Sequence, residues 1–350
     1  MIGIDRHALK IAWTVFLFAL IAALVFQVRH TLMIFVLAIF FSQLLSPVVA
    51  FFERTVPARV PRVAILVLVY VVLMAVIVLT LISVGSRIGE QAASLAVRLG
   101  AMKQQDLLDL IGHLPLPAWL EWARPRLAEL LHDRLGDLEQ HVLPLLSSAG
   151  TQILSGIGNA LSTILIPILS FFFLKDGPAI RTTIVESFSH ANQTVVNEIF
   201  MDLHLLLAQY IRALVLLAIA SFAFYTGFLS IASVPYAILL AGIAAILEFI
   251  PVVGPLTASA VILLVAAFTG YPHLLWILVF LVIYRIFQDY ALSPYLMSSG
   301  VEVDPLLVLF GVLAGEQIAG VPGMFFSVPV IAALRVLYVR LRRQRRVSAA

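Results

Sequence analysis

Residues 235–269 read PYAILLAGIAAILEFIPVVGPLTASAVILLVAAFT, from Pro235 to Thr269. These 35 residues are mostly apolar. As one straight helix they would reach ~50 Å, well beyond the ~30 Å hydrocarbon core of a bilayer. Pro251, Gly254 and Pro255 interrupt the run near its middle. Broken helices leave backbone N–H and C=O groups free, and at membrane depth these are tolerated only where protein or a water cavity covers them. The pattern occurs again: Pro305 to Leu341 is a second overlong apolar run, interrupted by Gly320, Pro322, Gly323 and Pro329. Two such segments are the best sequence pointer to a transport site, because the freed backbone groups can bind substrate or ions. Each segment reads equally as a broken span, a hairpin or two short spans.

Outward from these segments, further apolar runs cover roughly Leu9–Gln27, Thr31–Phe52, Val63–Ser86, Gly150–Leu174, Gln209–Ile231 and His273–Tyr290. Each is long enough, or nearly so, to cross a membrane as a helix. The first reads as an uncleaved span rather than a signal peptide, because no small-residue cleavage site follows it. The expected fold is an all-α polytopic membrane protein of about eight transmembrane helices, two of them broken or hairpin-like. Composition agrees: 62% of the residues are hydrophobic and 12% charged, against about half and a quarter in a soluble domain. There is no cysteine, which excludes disulfides, thiolate metal sites and Cys nucleophiles.

Charge sets the expected orientation. The loop Glu53–Arg62 carries Arg54, Arg59 and Arg62, and short basic loops stay cytoplasmic. Arg335, Arg340, Arg342, Arg343, Arg345 and Arg346 place the C-terminal end on the same side, close to anionic lipid rather than nucleic acid. Residues 87–148 hold six basic and eight acidic residues, with prolines at 115, 117, 125 and 144. Lacking a positive excess, they suit the outer side. Leu127, Leu131, Leu135, Leu138, Val142 and Leu145 form one helical face there. The expected organisation is therefore helices one to three over 1–86, an extracytoplasmic helical insert over 87–148 and a fourth helix over 149–174. A cytoplasmic amphipathic linker over 175–208, a transport core over 209–341 and a basic tail over 342–350 follow.

Ionisable residues within spans are costly and become functional candidates by default. Glu248 precedes Pro251 at the first break, and Glu316 precedes Gly320 at the second. Either carboxyl could take up and release a proton in a transport cycle. Arg285 and Asp289, spaced i, i+4, can pair on one helix face, as a structural pair or as part of a path. Asn159 and Gln288 read as interhelical hydrogen-bond partners. No Walker A loop, HExxH, GxSxG or GxGxxG occurs. The chain therefore reads as a gradient-driven secondary transporter, neither an enzyme nor an ATP-driven pump, with no cofactor and no metal site. A sodium/proton-type antiporter and a membrane scaffold acting through the insert are the alternatives.

Several motifs together resemble the autoinducer-2 exporter family, the PerM-like permeases. They are Phe172-Phe-Leu-Lys-Asp-Gly177, Val234-Pro-Tyr-Ala-Ile-Leu-Leu-Ala-Gly242 and Glu248-Phe-Ile-Pro-Val-Val-Gly-Pro255, then Ser293-Pro-Tyr-Leu-Met-Ser-Ser-Gly300, which contains Pro294, and Gly315-Glu-Gln-Ile-Ala-Gly-Val-Pro-Gly323. The resemblance covers nearly the whole chain. It implies a multi-pass protein of the bacterial inner membrane, both termini cytoplasmic, that forms a homo-oligomer, a pentamer being one form. It also implies export of a small polar metabolite such as autoinducer-2, coupled to protons or sodium. The chain departs from the family where a fifth-span pattern becomes Tyr210-Ile-Arg-Ala-Leu214, and where Asp304-Pro305 replaces His-Pro.

Overall fold

The computed structural model describes residues 6–57, 60–101, 160–296 and 304–348, with isolated positions between 121 and 129. Most of the expected outer insert, its leucine stripe and Asn159 lie outside the described residues. The described residues form helices and no strand. The protein is an all-α polytopic membrane protein. Five helical stretches among the described residues are long and apolar enough to cross a bilayer: Thr31–Thr55, Arg62–Ala101, Asn192–Ile231, Leu274–Leu296 and Pro305–Arg342, the last counted through a reversal described below.

In chain order the helices are α1 (Arg6–Gln27), α2 (Arg29–Thr55), α3 (Arg62–Ala101), α4 (Ala160–Glu186) and α5 (His190–Ile231). Then come α6 (Ala237–Leu247), α7 (Val253–Phe268) and α8 (Leu274–Phe287), a π-helical turn at Gln288–Leu292, α9 (Ser293–Leu296) and α10 (Pro305–Ser348). The third helix does not stop near Ser86 but runs on to Ala101. No break separates the amphipathic stretch before Gln209 from the fifth span, because nothing between His190 and Ile231 interrupts helical hydrogen bonding.

The chain forms two compact units. The first comprises Met1–Tyr70 and Asn159–Ile180. Val49, Ile65, Leu66 and Val69 pack there against Phe171 and Leu174. Within the same unit the Tyr70 and Ser170 hydroxyls, both buried, share a 2.6 Å hydrogen bond.

The second unit, Val71–Gly158 and Arg181–Ala350, holds both oversize segments, and each folds back on itself. In the first, α6 and α7 form a hairpin. Its open end is closed by the Tyr271 hydroxyl, which donates to the Ala232 carbonyl at 2.8 Å. At the tip, a Cβ on Gly254 would lie 1.8 Å from the Leu247 carbonyl oxygen. Leu239, Leu240, Ala244, Ala258, Ile262 and Ala266 bury the facing sides. The open end sits beside the C-terminal part of α3: Leu239 N–H donates to Gln91 Oε1 at 2.9 Å, and Arg98 donates to the Thr269 carbonyl at 3.0 Å.

The second segment, α10, reverses at Ala319 and Gly320, whose φ of 62° and ψ of −142° suit only glycine. Past the reversal, Ile331 returns to Gly311, and Gly323 returns to Gly315. A Cβ on Gly315 would lie 2.3 Å from the Gly323 carbonyl oxygen, and one on Gly323 1.9 Å from that of Gly315. The two arms meet backbone to backbone, which small residues permit. The returning arm is tied to α5 by Arg340, which donates to Asp202 at 2.7 Å and also to Glu198.

Candidate transport site

Glu248 follows the last turn of α6, at the tip of the first hairpin. Although charged by type, it is buried. Its two oxygens are held from separate elements. The Ser221 hydroxyl of α5 donates to Oε2 at 3.0 Å, and the Gln288 amide, at the start of the π turn, donates to Oε1. Ser221 is fully buried and shares a second hydrogen bond of 2.9 Å with the Tyr284 hydroxyl of α8. The Tyr284 ring is wedged between Tyr225, at 5.0 Å, and Phe224, at 5.4 Å. An unpaired buried carboxylate would be very costly, and these donors are what make its position tolerable.

The tip itself is bent into a γ-turn. Val253 N–H donates to the Pro251 carbonyl at 2.7 Å, across Val252 with φ 65° and ψ −58°. A γ-turn with positive φ is rare and strained, more so at a β-branched residue. Pro251 supplies a carbonyl and cannot donate, and Pro255 opens the next helical turn without missing a donor.

A cavity of about 350 Å³ opens against this tip. Glu248, Pro251, Val252 and Pro255 form one wall. Leu206, Gln209, Tyr210, Leu214 and Leu217 of α5 form another. Arg285, Gln288, Asp289 and Ser293 come from α8 and the elements after it, and Val328, Pro329 and Ala332 from the returning arm of α10. Arg285 Nε donates to Asp289 Oδ2 at 2.8 Å, with both side chains about half exposed. π turns often mark functional sites; here the turn carries Gln288 and Asp289 to the cavity. The Tyr210 hydroxyl is buried with no partner among the described residues.

The cavity brings together Glu248, Pro251, Pro255, Arg285 and Asp289 among the residues singled out from sequence. Gly254 supports the tip from behind, and Pro294 follows the lining residue Ser293. Glu316, Gly320, Pro322 and Gly323 do not reach it. They belong to the reversal of α10, where Glu316 and Gly320 are exposed. Gln288 is an interhelical hydrogen-bond partner, as expected. Ser221 and Tyr284 gave no sequence signal, because a lone serine or tyrosine in an apolar helix is usual. Among the described residues no group of acidic and histidine side chains could hold a metal ion.

The chain is similar to several known proteins. The chain is 25% identical over 341 residues, 94% of its own length and 91% of the relative's, to "Putative transport protein YueF" of Bacillus subtilis (strain 168). It is 25% identical over 224 residues to "Putative transport protein YrrI" of the same organism, covering 61% of this chain and 62% of that one. An archaeal relative, "Putative transport protein MJ1177" of Methanocaldococcus jannaschii, is 27% identical over 190 residues, 53% of this chain and 56% of that one. The family model for AI-2E family transporters matches residues 13–343, and the chain, a multi-pass membrane transporter, belongs to that family.

Proposed function

We propose that the protein is a gradient-driven secondary transporter that exports a small polar metabolite, such as autoinducer-2, through the cavity at the tip of the first hairpin. The observation that carries this reading is Glu248, a buried carboxyl facing a cavity of about 350 Å³. That volume is at the lower end of the range for small-molecule sites. In this reading Glu248 binds and releases the coupling proton. Arg285 and Asp289 give up their mutual ion pair to hydrogen-bond the solute, and the α6–α7 tip moves to open the cavity. The partners are the solute, the coupling ion, the surrounding bilayer and further copies of the chain in a homo-oligomer. The membrane is the bacterial inner membrane, with both termini in the cytoplasm.

The test is efflux of labelled autoinducer-2 from proteoliposomes, with and without an imposed proton gradient. Gradient-dependent efflux that Glu248→Gln abolishes, with assembly intact, is the expected result. Full activity in that variant would rule out the role of Glu248. A second reading, a sodium/proton-type antiporter, is favoured by the cavity wall itself, where two carboxylates face one guanidinium. It expects a sodium gradient to move protons with no organic solute present.

A further inference from the structure

Glu248 is held by donors of two kinds. The Gln288 amide nitrogen can only donate, whereas the Ser221 hydroxyl can donate or accept, as can the Tyr284 hydroxyl behind it. Ser221 Oγ lies 3.0 Å from Glu248 Oε2 and 2.9 Å from Tyr284 Oη. Ser221 is fully buried and Tyr284 nearly so, so neither hydroxyl can exchange its partner for bulk water. Tyr225 and Phe224 fix the Tyr284 ring. Among the described residues, the other groups that face Glu248 are Arg285 of α8, Asp289 of the π turn and the Tyr225 phenol of α5.

A buried carboxyl that titrates needs partners in both charge states. The Gln288 amide suits both, because Oε1 still accepts when the proton sits on Oε2; the group on Oε2 must donate in one state and accept in the other. A hydroxyl serves both: when Glu248 is ionised, Tyr284 donates to Ser221 and Ser221 donates to Oε2. When a proton from the cavity binds Oε2, the new O–H donates to Ser221, the Ser221 proton turns towards Tyr284 Oη, and the Tyr284 O–H rotates off the Ser221 line. The proton returns to the cavity by the reverse steps, and no heavy atom has to move. We propose that Ser221, backed by Tyr284, is a positioning residue for Glu248, its hydroxyl reversing polarity so that the carboxyl keeps one pose in both charge states. This rests on the reading that Glu248 titrates during transport.

The experiment is an infrared pH titration of the purified, membrane-reconstituted protein, following the carbonyl stretch of the protonated carboxyl. The band due to Glu248 is identified by its loss in Glu248→Gln. Ser221→Ala removes one oxygen from a helix and should leave the fold intact. It takes a charge-assisted donor from the ionised form and a weaker acceptor from the protonated one, so the midpoint should rise by the difference, about one pH unit. Ser221→Thr, which keeps the hydroxyl, should restore the midpoint. Tyr284→Phe leaves Ser221 able to donate but not to hand on its proton. It should shift the carbonyl frequency of the protonated form, with a smaller change in midpoint. An unchanged midpoint in folded Ser221→Ala would overturn the positioning role while leaving Glu248 as the coupling group. Absence of any Glu248-dependent titration in the unmodified protein would overturn both.

Discussion

At the scale of single residues, the site is a buried polar cluster rather than an ion pair, and this decides which substitutions matter. Gln288 is 3% exposed and donates to Glu248. Gln288→Ala therefore leaves a buried oxygen unpaired and should cost about 1.5–3 kcal/mol, the range for hydrogen bonds to charged groups. Thermal unfolding in detergent would register that loss. Arg285 and Asp289 make a 2.8 Å pair, but their side chains are 42% and 43% exposed. In a water-filled cavity a half-exposed pair contributes about 0–1 kcal/mol, so Arg285→Ala should leave the unfolding temperature nearly unchanged while reducing efflux. Equal losses of stability in the two variants would mean that the Arg285–Asp289 pair is a structural brace. Glu248 was legible in the sequence because a carboxyl beside a break in an apolar run has no cheap explanation. Ser221 and Tyr284 were not, because what singles them out is a hydrogen bond across 27 and 63 residues of chain.

At the scale of elements, both breaks were legible and their shapes were not. Proline and glycine announce that a helix is interrupted. Whether the chain then continues or turns back depends on contacts between arms that no local pattern encodes. The second break turns back because Gly315 and Gly323 let two backbones touch. That reversal carries Glu316 away from the cavity, and residues of the returning arm, Val328, Pro329 and Ala332, line it instead. Gly323→Ala would place a Cβ 1.9 Å from a backbone oxygen that cannot step aside. The arms would have to separate, at a cost of about 3 kcal/mol or more by the measure of overpacked cores, read as a lower unfolding temperature. The first tip should respond in the opposite sense. Val252 holds a positive φ of 65°, a strain of about 1–3 kcal/mol for a residue of its kind. Glycine adopts that φ freely but loses more entropy on folding, so Val252→Gly should leave a net gain of about 1 kcal/mol. Destabilisation by this substitution would show that the valine side chain, not the backbone bend, secures the tip.

At the scale of the whole molecule, the hairpins change how the chain threads the bilayer. A hairpin returns to the side it left, whereas a broken span arrives on the other. The first hairpin has its open end at Ala232 and Tyr271, joined by a 2.8 Å hydrogen bond, beside Arg98 near the C-terminal end of α3. That end of α3 leads into the insert expected outside. The second hairpin ends in the arm whose Arg340 binds Glu198 and Asp202 in the N-terminal half of α5, the half expected at the cytoplasmic face. The two hairpins should thus enter from opposite sides, with α8 as the full crossing between them. The chain has no cysteine, so single cysteines can be labelled without background. Ile231→Cys and His273→Cys, at exposed positions flanking the first hairpin, should both react with a membrane-impermeant maleimide added outside intact cells. Asp304→Cys and Arg342→Cys, flanking the second, should both react only after the membrane is opened. Labelling of one member of a pair from each side would show that the segment between them crosses the membrane, and the hairpin reading of that segment would fail. Matching labels within each pair, on opposite faces for the two pairs, would place the Glu248 tip inside the bilayer, entered from outside. The returning arm that helps to line the cavity would then be entered from the cytoplasm, so the cavity would lie between two elements anchored on opposite sides of the membrane.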